Sequence, residues 1–350
     1  MTGGGGGDTI KHKTEKGERA VLRDEVLALL KRGEGPLSGE AMSRRLGVSR
    51  AAVWKAVENL RQEGYVISSA TNRGYRLEES PDLLSAGELS GALDGCLVGR
   101  ELLCLPTVDS TNSEVKRQAL AGRAEGLAVL SDEQTGGRGR RGREFESPAG
   151  KGLYCSVLLR PECTLDELMW LTAWTAVAVC DAVEEVCSVR PGIKWTNDLV
   201  LEGRKLCGIL TELGLEGESA SLQYAAVGVG INVSQQAADF GPGAAPVAVS
   251  LAQVLGKAPR RTDLAIALLR ALDNMYRDFP ARRDSWYERY RRDCLTLGRQ
   301  VRVFRGSGSF TGVAEDLAGD FSLIVRRDDG SREIVNAGDV SVRGLLGYTE

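Results

Sequence analysis

Apolar positions in the first eighty residues recur at helical spacing three times and then switch to alternation. Over 19–32, Leu22, Val26, Leu29 and Leu30 fall three or four residues apart, and Gly33 closes the run. A second helix is predicted over 38–46 with Ser38 as its N-cap. Gly47-Val48-Ser49 then makes a tight turn, and Ser49 caps a third helix running to about Glu63. Val53, Val57 and Leu60 form its inward face. After Gly64 the pattern becomes alternating, with strands over 65–69 and 75–77 around Thr71-Asn72-Arg73-Gly74.

Three helices followed by a hairpin spell a winged helix-turn-helix. Its third helix would present Ser49, Arg50, Ala51, Trp54 and Lys55 to the major groove, with Arg73 at the wing tip near phosphate. Winged helices also serve as protein-interaction modules. An acidic, proline-bearing linker, Glu78-Glu79-Ser80-Pro81-Asp82, sets a boundary after residue 79. Beyond it, strands are predicted over 102–105, 127–131, 153–159, 193–195, 206–213 and 222–233, with helices over 165–186 and 263–279. The segments 206–213 and 222–233 adjoin without room for a crossover helix. The sheet is therefore expected to be mixed or mainly antiparallel, unlike a Rossmann fold. From Gly298 short strands at 301–304, 310–317, 322–327, 332–335 and 340–342 alternate with glycine-bearing turns, the spacing of a small SH3-like barrel. The expected class is α+β: a flexible tail over 1–18, a winged helix over 19–79, a central mixed-sheet domain with helices over 80–297 and an SH3-like barrel over 298–350.

Charge and composition narrow the chemistry. The net charge of −3 is uneven: residues 19–78 hold eleven Lys/Arg against seven Asp/Glu, so a basic module joins an acidic body. That places a nucleic-acid contact at the N-terminal end. No apolar run approaches the roughly 20 residues of a membrane helix, and no signal peptide opens the chain. Eight cysteines without a C-x-x-C pair suit reduced thiols in cytosol. The single histidine, His12, lies in the expected tail, which removes imidazole catalysis. Chemistry must then rest on Lys, Arg, carboxylates and backbone dipoles.

Four stretches carry candidate chemistry. Gly136-Gly137-Arg138-Gly139-Arg140-Arg141-Gly142-Arg143 interleaves four glycines with four arginines after an apolar strand. Glycine lets backbone close on a ligand, and guanidinium matches carboxylate and phosphate oxygens. The same octapeptide also fits a solvated basic loop or a nucleic-acid arm. Asp109-Ser110-Thr111-Asn112-Ser113-Glu114 has capping-box spacing between Thr111 and Glu114, while Ser110 and Asn112 offer neutral donors and acceptors at a strand–helix junction. Lys194-Trp195-Thr196-Asn197-Asp198, followed by Arg204-Lys205-Leu206-Cys207-Gly208-Ile209-Leu210, puts an ammonium at the mouth of a core; an ordinary hairpin is the plain alternative. Gly228-Val229-Gly230-Ile231-Asn232 marks close backbone approach at a strand end and lacks a full dinucleotide fingerprint.

In combination and order, Asp109-Ser110-Thr111-Asn112, Gln134 before the arginine loop, Lys194-Trp195-x-Asn197-Asp198, Arg204-Lys205-Leu206-x-Gly208-Ile209-Leu210 and Gly228-x-Gly230-Ile231-Asn232 resemble the biotin–protein ligases. With a winged helix before and a small barrel after, the chain is similar to the bifunctional class that also represses biotin genes, and the similarity runs from about Arg19 to the end. It implies that biotin and ATP form biotinyl-5′-adenylate, with biotin then passed to a lysine of a carboxylase carrier domain. Lys205, Arg138, Arg140 and Asp198 are the implied catalytic residues. Ser110, Thr111, Asn112, Gln134, Arg138, Gly139, Arg140 and Lys205 would bind biotin, while Arg140, Arg143, Phe145, Lys194, Asn197, Lys205 and Asn232 would bind ATP or adenylate. Magnesium would arrive on the ATP phosphates, with Asp198 the candidate contact. A carrier domain, operator DNA and a second copy of the chain, when adenylate is bound, are the implied partners in cytoplasm. Two positions depart from the family: Thr196 stands where proline is usual, and Phe145 where tryptophan is frequent, which weakens stacking on adenine but keeps an aromatic face.

Two rivals remain at this stage. A lipoate–protein ligase shares the catalytic fold, but the arginine loop and the winged helix speak against it. A regulator that senses biotin without turnover is opposed by an intact Lys205 and four loop arginines.

Overall fold

The computed structural model describes residues 7–33, 35–70, 74–216, 221–305, 308–336 and 339–342. The chain divides into two compact units, 1–94 and 95–350.

In the first unit, α1 (Gly7–Arg32), α2 (Gly39–Leu46) and α3 (Arg50–Gln62) precede an antiparallel hairpin of β1 (Val66–Ala70) and β2 (Gly74–Glu79). Ser38 and Ser49 cap α2 and α3 by accepting the Ala41 and Ala52 amides, each at 3.1 Å. Val26, Leu27 and Leu30 of α1 meet Met42, Val53, Val57 and Leu60 in one core, which Tyr65 and Ile67 close. The outward face of α3 leaves Arg50, Ala51, Trp54 and Lys55 exposed, with Ser49 at its start. Arg73 lies outside the described residues.

Two boundaries differ from expectation. Helix α1 begins at Gly7, so the tail expected over 1–18 is helical from there; lysine and glutamate recur through 11–18, and their propensity extends the helix upstream of its apolar stripe. The first unit also continues past residue 79 to 94. A short helix, α4 (Ala86–Leu89), packs its Gly87 backbone against Asp24, where a Cβ would sit 2.7 Å from the Asp24 carbonyl. Glu88, buried, takes Lys31 of α1 as its ionic partner. Burial, and the Glu88 carboxylate beside it, push the Tyr65 phenol above its ordinary range.

The second unit is built on a seven-stranded sheet. In chain order it contains β3 (Glu101–Val108), α5 (Thr111–Leu120), β4 (Leu127–Gln134), β5 (Gly152–Leu159), α6 (Leu165–Cys187), β6 (Gly192–Lys194), β7 (Asp198–Leu201), β8 (Arg204–Glu216) and β9 (Ser221–Asn232). The strand order is β3-β4-β5-β9-β8-β7-β6, and only β3–β4 is parallel. The mixed sheet expected from the sequence is therefore present. Thr164 and Glu167 form a reciprocal capping box on α6, whose residues 173–180 are all buried. Then follow α7 (Leu251–Leu255), α8 (Arg261–Asp278) and α9 (Arg283–Asp293). The chain closes with an antiparallel five-stranded sheet, the SH3-like element, of β10 (Gln300–Arg305), β11 (Gly308–Leu317), β12 (Leu323–Arg326), β13 (Arg332–Val335) and β14 (Asp339–Val342), ordered β13-β12-β11-β10-β14. Trp195 ties that element to the larger sheet: its indole N–H donates to the Phe321 carbonyl at 2.8 Å, and its backbone N–H to Thr296 Oγ1 at 2.9 Å. Among the described residues no helix is long and apolar enough to cross a membrane.

Candidate active site

A cavity of about 570 Å³ opens where the ends of β4, β6, β7, β8 and β9 meet the start of α5. Its lining combines polar uncharged groups with five cations and the carboxylates of Glu144 and Asp198.

The uncharged groups begin at α5. Ser110 has the extended backbone of an N-cap, yet its side chain makes no cap bond and lines the cavity. The capping box expected between Thr111 and Glu114 does not form, because Thr111 is already the first helical residue. Gln134, arriving at the end of β4, takes over the cap: its Oε1 accepts the Thr111 N–H at 2.9 Å and lies 3.1 Å from Thr111 Oγ1. Glu114 instead accepts from Arg117 Nε and Gln118 Nε2, both at 2.7 Å. Asn112 reaches across to β8, donating to the Leu210 carbonyl at 3.1 Å and to Glu212 at 2.9 Å. Burial opposes the Glu212 charge, but hydrogen bonds from Lys116 and Asn112 hold its carboxyl below the usual range.

The arginine loop folds on itself as a hairpin. Phe145 N–H donates to the Gly137 carbonyl at 3.0 Å, and Gly139 N–H to the Arg143 carbonyl at 2.7 Å. A Cβ on Gly137 would overlap the Phe145 carbonyl, so this glycine is required by close approach. Arg138 bonds Ser113 Oγ, and Arg140 Nη1 donates to Asn197 Oδ1 at 2.7 Å. Asn197 in turn donates to the Ile209 carbonyl at 2.8 Å. The loop is thereby tied at one end to α5 and at the other to the β6–β7 turn.

Among the cations, Lys205 Nζ lies 2.7 Å from Asp198 Oδ1. Burial raises the cost of charge on Asp198; Lys205, Lys194 and Arg140 outweigh it and keep the carboxyl below its ordinary value. Lys194 is only 6% exposed and lines the cavity with Arg138, Arg140 and Arg143. The Lys205 backbone is clamped from both sides: its N–H donates to the Val247 carbonyl at 2.7 Å, and its carbonyl accepts from Val249 N–H at 2.9 Å.

The glycines of β8 and β9 form the floor. Gly208 and Gly230 face each other across the strand pair. The Phe145 ring lies over Gly230, whose Cβ, if present, would come within 2.5 Å of Cε1. Tyr154 meets that ring edge-on at 6.4 Å. Gly228 plays the corresponding part under Asn112, since a Cβ there would overlap its Oδ1.

The cavity thus gathers Ser110, Thr111, Asn112, Gln134, Arg138, Gly139, Arg140, Arg143, Phe145, Lys194, Asn197, Asp198 and Lys205. Asn232 is the exception. It is buried beneath the site, where Nδ2 donates to the Val249 carbonyl at 3.1 Å and approaches the Lys205 carbonyl at 3.4 Å, so it supports Lys205 instead of facing the cavity. Sequence reasoning missed Ser156, an inward position on an apolar strand, and Phe304 and Val340, which enter from the C-terminal sheet. Ser156 could have been flagged only as the one serine on an otherwise apolar strand; the other two read as ordinary strand residues. Among the described residues no group of three or more His, Cys, Asp or Glu is placed to hold a metal ion.

Comparison with known proteins places these features in context. Residues 105–232 match the biotin/lipoate A/B protein ligase family, 23–76 an HTH domain and 296–343 the biotin protein ligase C-terminal domain. The bifunctional ligase/repressor BirA of Bacillus subtilis is 33% identical over 324 residues, covering 91% of this chain and 98% of that protein. The biotin--[acetyl-CoA-carboxylase] ligase of Mycobacterium tuberculosis is 32% identical over 69% of this chain and 88% of its own length. Biotin protein ligase from Aquifex aeolicus, solved with biotin and ATP, superposes with a TM-score of 0.60 at 29% identity, covering 70% of this chain and 99% of that one.

Proposed function

Since the chain belongs to the family of bifunctional biotin ligase/repressors, we propose that it joins biotin to ATP as biotinyl-5′-adenylate and passes biotin to a carrier-protein lysine. One observation carries this reading: five cations, Lys194, Lys205, Arg138, Arg140 and Arg143, line a single cavity together with the neutral hydrogen-bonding groups Ser110, Thr111, Asn112 and Gln134. The first half-reaction brings a carboxylate to an α-phosphate, two anions that repel. Fixed cations screen that repulsion and follow the charge onto departing pyrophosphate. The carboxylate oxygen attacks the α-phosphorus, and the bond to the bridging oxygen of pyrophosphate breaks. No proton moves in this step, which suits a site without histidine.

Biotin's ureido ring is assigned to the neutral groups Ser110, Thr111, Asn112 and Gln134, and its carboxylate to Arg138, Arg140 and Lys205. The nucleotide lies over Phe145 and the Gly208–Gly230 floor, near Arg143, Lys194 and Asn197. Magnesium would arrive with the nucleotide and help neutralise phosphate charge, and among the described residues no group of three or more His, Cys, Asp or Glu would hold it independently. Asp198, ionised and paired with Lys205, positions that ammonium; its depressed pKa suits this task better than accepting a proton from the carrier lysine. In the second half-reaction the carrier lysine attacks the acyl carbon as its neutral amine, the acyl–phosphate oxygen bond breaks, AMP leaves as the phosphate anion and the amine's surplus proton passes to solvent.

The winged helix supplies the second activity. Adenylate would order the loops around the cavity and favour a dimer, bringing two recognition helices onto paired operator half-sites in the cytoplasm. Biotin-dependent ATP–pyrophosphate exchange tests the ligase reading: exchange with biotin supports it, exchange with lipoate alone defeats it. Equal operator affinity with and without adenylate would dispose of the switch.

A further inference from the structure

The ligase reading rests on which polar groups surround the ureido ring, yet not on which of them donate. Hydrogen-bond direction is fixed by groups that have only one option. The Asn112 amide faces the Leu210 carbonyl and the Glu212 carboxylate, at 3.1 and 2.9 Å, and both are acceptors. That edge must be the NH2 group, so Oδ1 points the other way, toward Ser156 Oγ at 2.7 Å. The Gln134 amide is equally determined: Oε1 receives the Thr111 backbone N–H at 2.9 Å, and Nε2 donates to Ser147 Oγ at 2.8 Å.

Between these two carbonyl oxygens stand two hydroxyls, Ser156 and Thr111, with 2.7 Å between them. Four oxygens in a row make three contacts, but the hydroxyls hold one proton each, and both end oxygens only accept. One contact must lack a proton. The Thr111–Gln134 contact is the longest of the three, at 3.1 Å, and Gln134 Oε1 already has the backbone N–H. Ser156 therefore gives its proton to Asn112, and Thr111 gives its own to Ser156. What Thr111 then offers the cavity is lone pairs alone.

We propose that Ser156 is a positioning residue that, with Asn112 and Glu212 behind it, fixes the Thr111 hydroxyl as an acceptor and so makes the site select a ring that donates N–H. Ser156 is fully buried, β5 holds its backbone between β4 and β9, and its side chain lies against Thr111 and Asn112. The class of ligand selected is a cyclic urea, as opposed to a cyclic carbamate of the same shape. A ring oxygen in place of N–H would set lone pairs against lone pairs, and a buried acceptor left without its donor discriminates far more strongly than a missing apolar contact.

The test compares biotin with its two cyclic-carbamate isomers, each carrying oxygen in place of one ureido N–H, by calorimetric titration of the full chain. The native protein should prefer biotin over the worse isomer by at least about 100-fold. In Ser156→Ala the Thr111 proton is released to turn toward a ring oxygen, and the preference should shrink to about tenfold. Asn112→Ala should do the same by another route, because Ser156 then donates to Thr111 and reverses the chain. A purely structural role for Ser156 would weaken both ligands alike; a native ratio preserved in both variants would overturn the proposal. Failure of the native chain to bind biotin at all would instead remove the ligase reading, and this inference with it.

Discussion

Two glycines, two residues apart on one face of β9, offer a way to injure the two substrates separately. Gly228 and Gly230 lie on the same strand with ordinary backbone angles, so an alanine at either adds a methyl group without the strain of a left-handed conformation. At Gly230 that methyl would sit 2.5 Å from the Phe145 ring. Carbon atoms rest at about 3.5–4.0 Å, so the ring must retreat by about 1 Å. A displacement of that size in a positioning group costs about 100-fold in reactivity, and overpacking costs about 1–3 kcal/mol of stability. Gly230→Ala should therefore raise the KM for ATP between about ten- and 100-fold while biotin affinity changes little. At Gly228 the new methyl would overlap Asn112 Oδ1. Gly228→Ala should accordingly weaken biotin and spare ATP. Steady-state pyrophosphate exchange, varying each substrate in turn, separates the two, with calorimetry for biotin alone. If both variants shift both constants equally, the division of the cavity into a ring end and a nucleotide end is wrong.

Other consequences can be checked more briefly. Lys205→Ala should lower the rate of adenylate formation by at least about 100-fold, the typical loss for one electrostatic contact to a developing charge, with the unfolding midpoint little changed; normal turnover would remove its assigned role. Asp198 has a carboxyl held low in the folded chain, so its contribution to stability is present above the ordinary carboxylate range and is lost as pH falls through its folded value. Asp198→Asn should flatten the acid limb of the stability–pH curve, and an unchanged limb would contradict the ion pair. Trp54, 57% exposed on α3, should be dispensable for folding and ligation. Trp54→Ala is expected to weaken operator binding by about 1–3 kcal/mol in a mobility-shift titration, leaving pyrophosphate exchange untouched.

Most of the architecture was legible because each element announces itself locally. Ser38 and Ser49 sit where their caps form, and 222–233 is apolar over a length that only a central strand needs. The segments 206–213 and 222–233, too close in sequence for a crossover helix between them, were enough to exclude a Rossmann arrangement. What escaped was set by contacts distant in sequence. Thr111 looked like an N-cap because Glu114 follows at the right interval, but Gln134, twenty-three residues on, supplies the acceptor instead. Asn232 belongs to a recognisable motif yet turns toward Lys205 and Val249, a choice made by the chain returning at 247–249. The linker around Pro81 resembled a boundary, whereas Glu88 finds Lys31 only once α1 is in place. Ser156 carries only the faint signal of a serine on an apolar strand, since its importance lies in the number of protons shared among its neighbours.

The C-terminal sheet looks from sequence like a separable appendage, but Phe304 and Val340 furnish part of the cavity wall and Phe321 accepts the Trp195 indole. A protein ending after α9 would keep every motif by which its chemistry is recognised, while Trp195, one residue beyond Lys194, lost both its cover and its hydrogen-bond acceptor. Ligation and the sheet of residues 300–342 are on this account inseparable, and proteolytic removal of that sheet would act as an off-switch for the enzyme while leaving the DNA-binding unit whole.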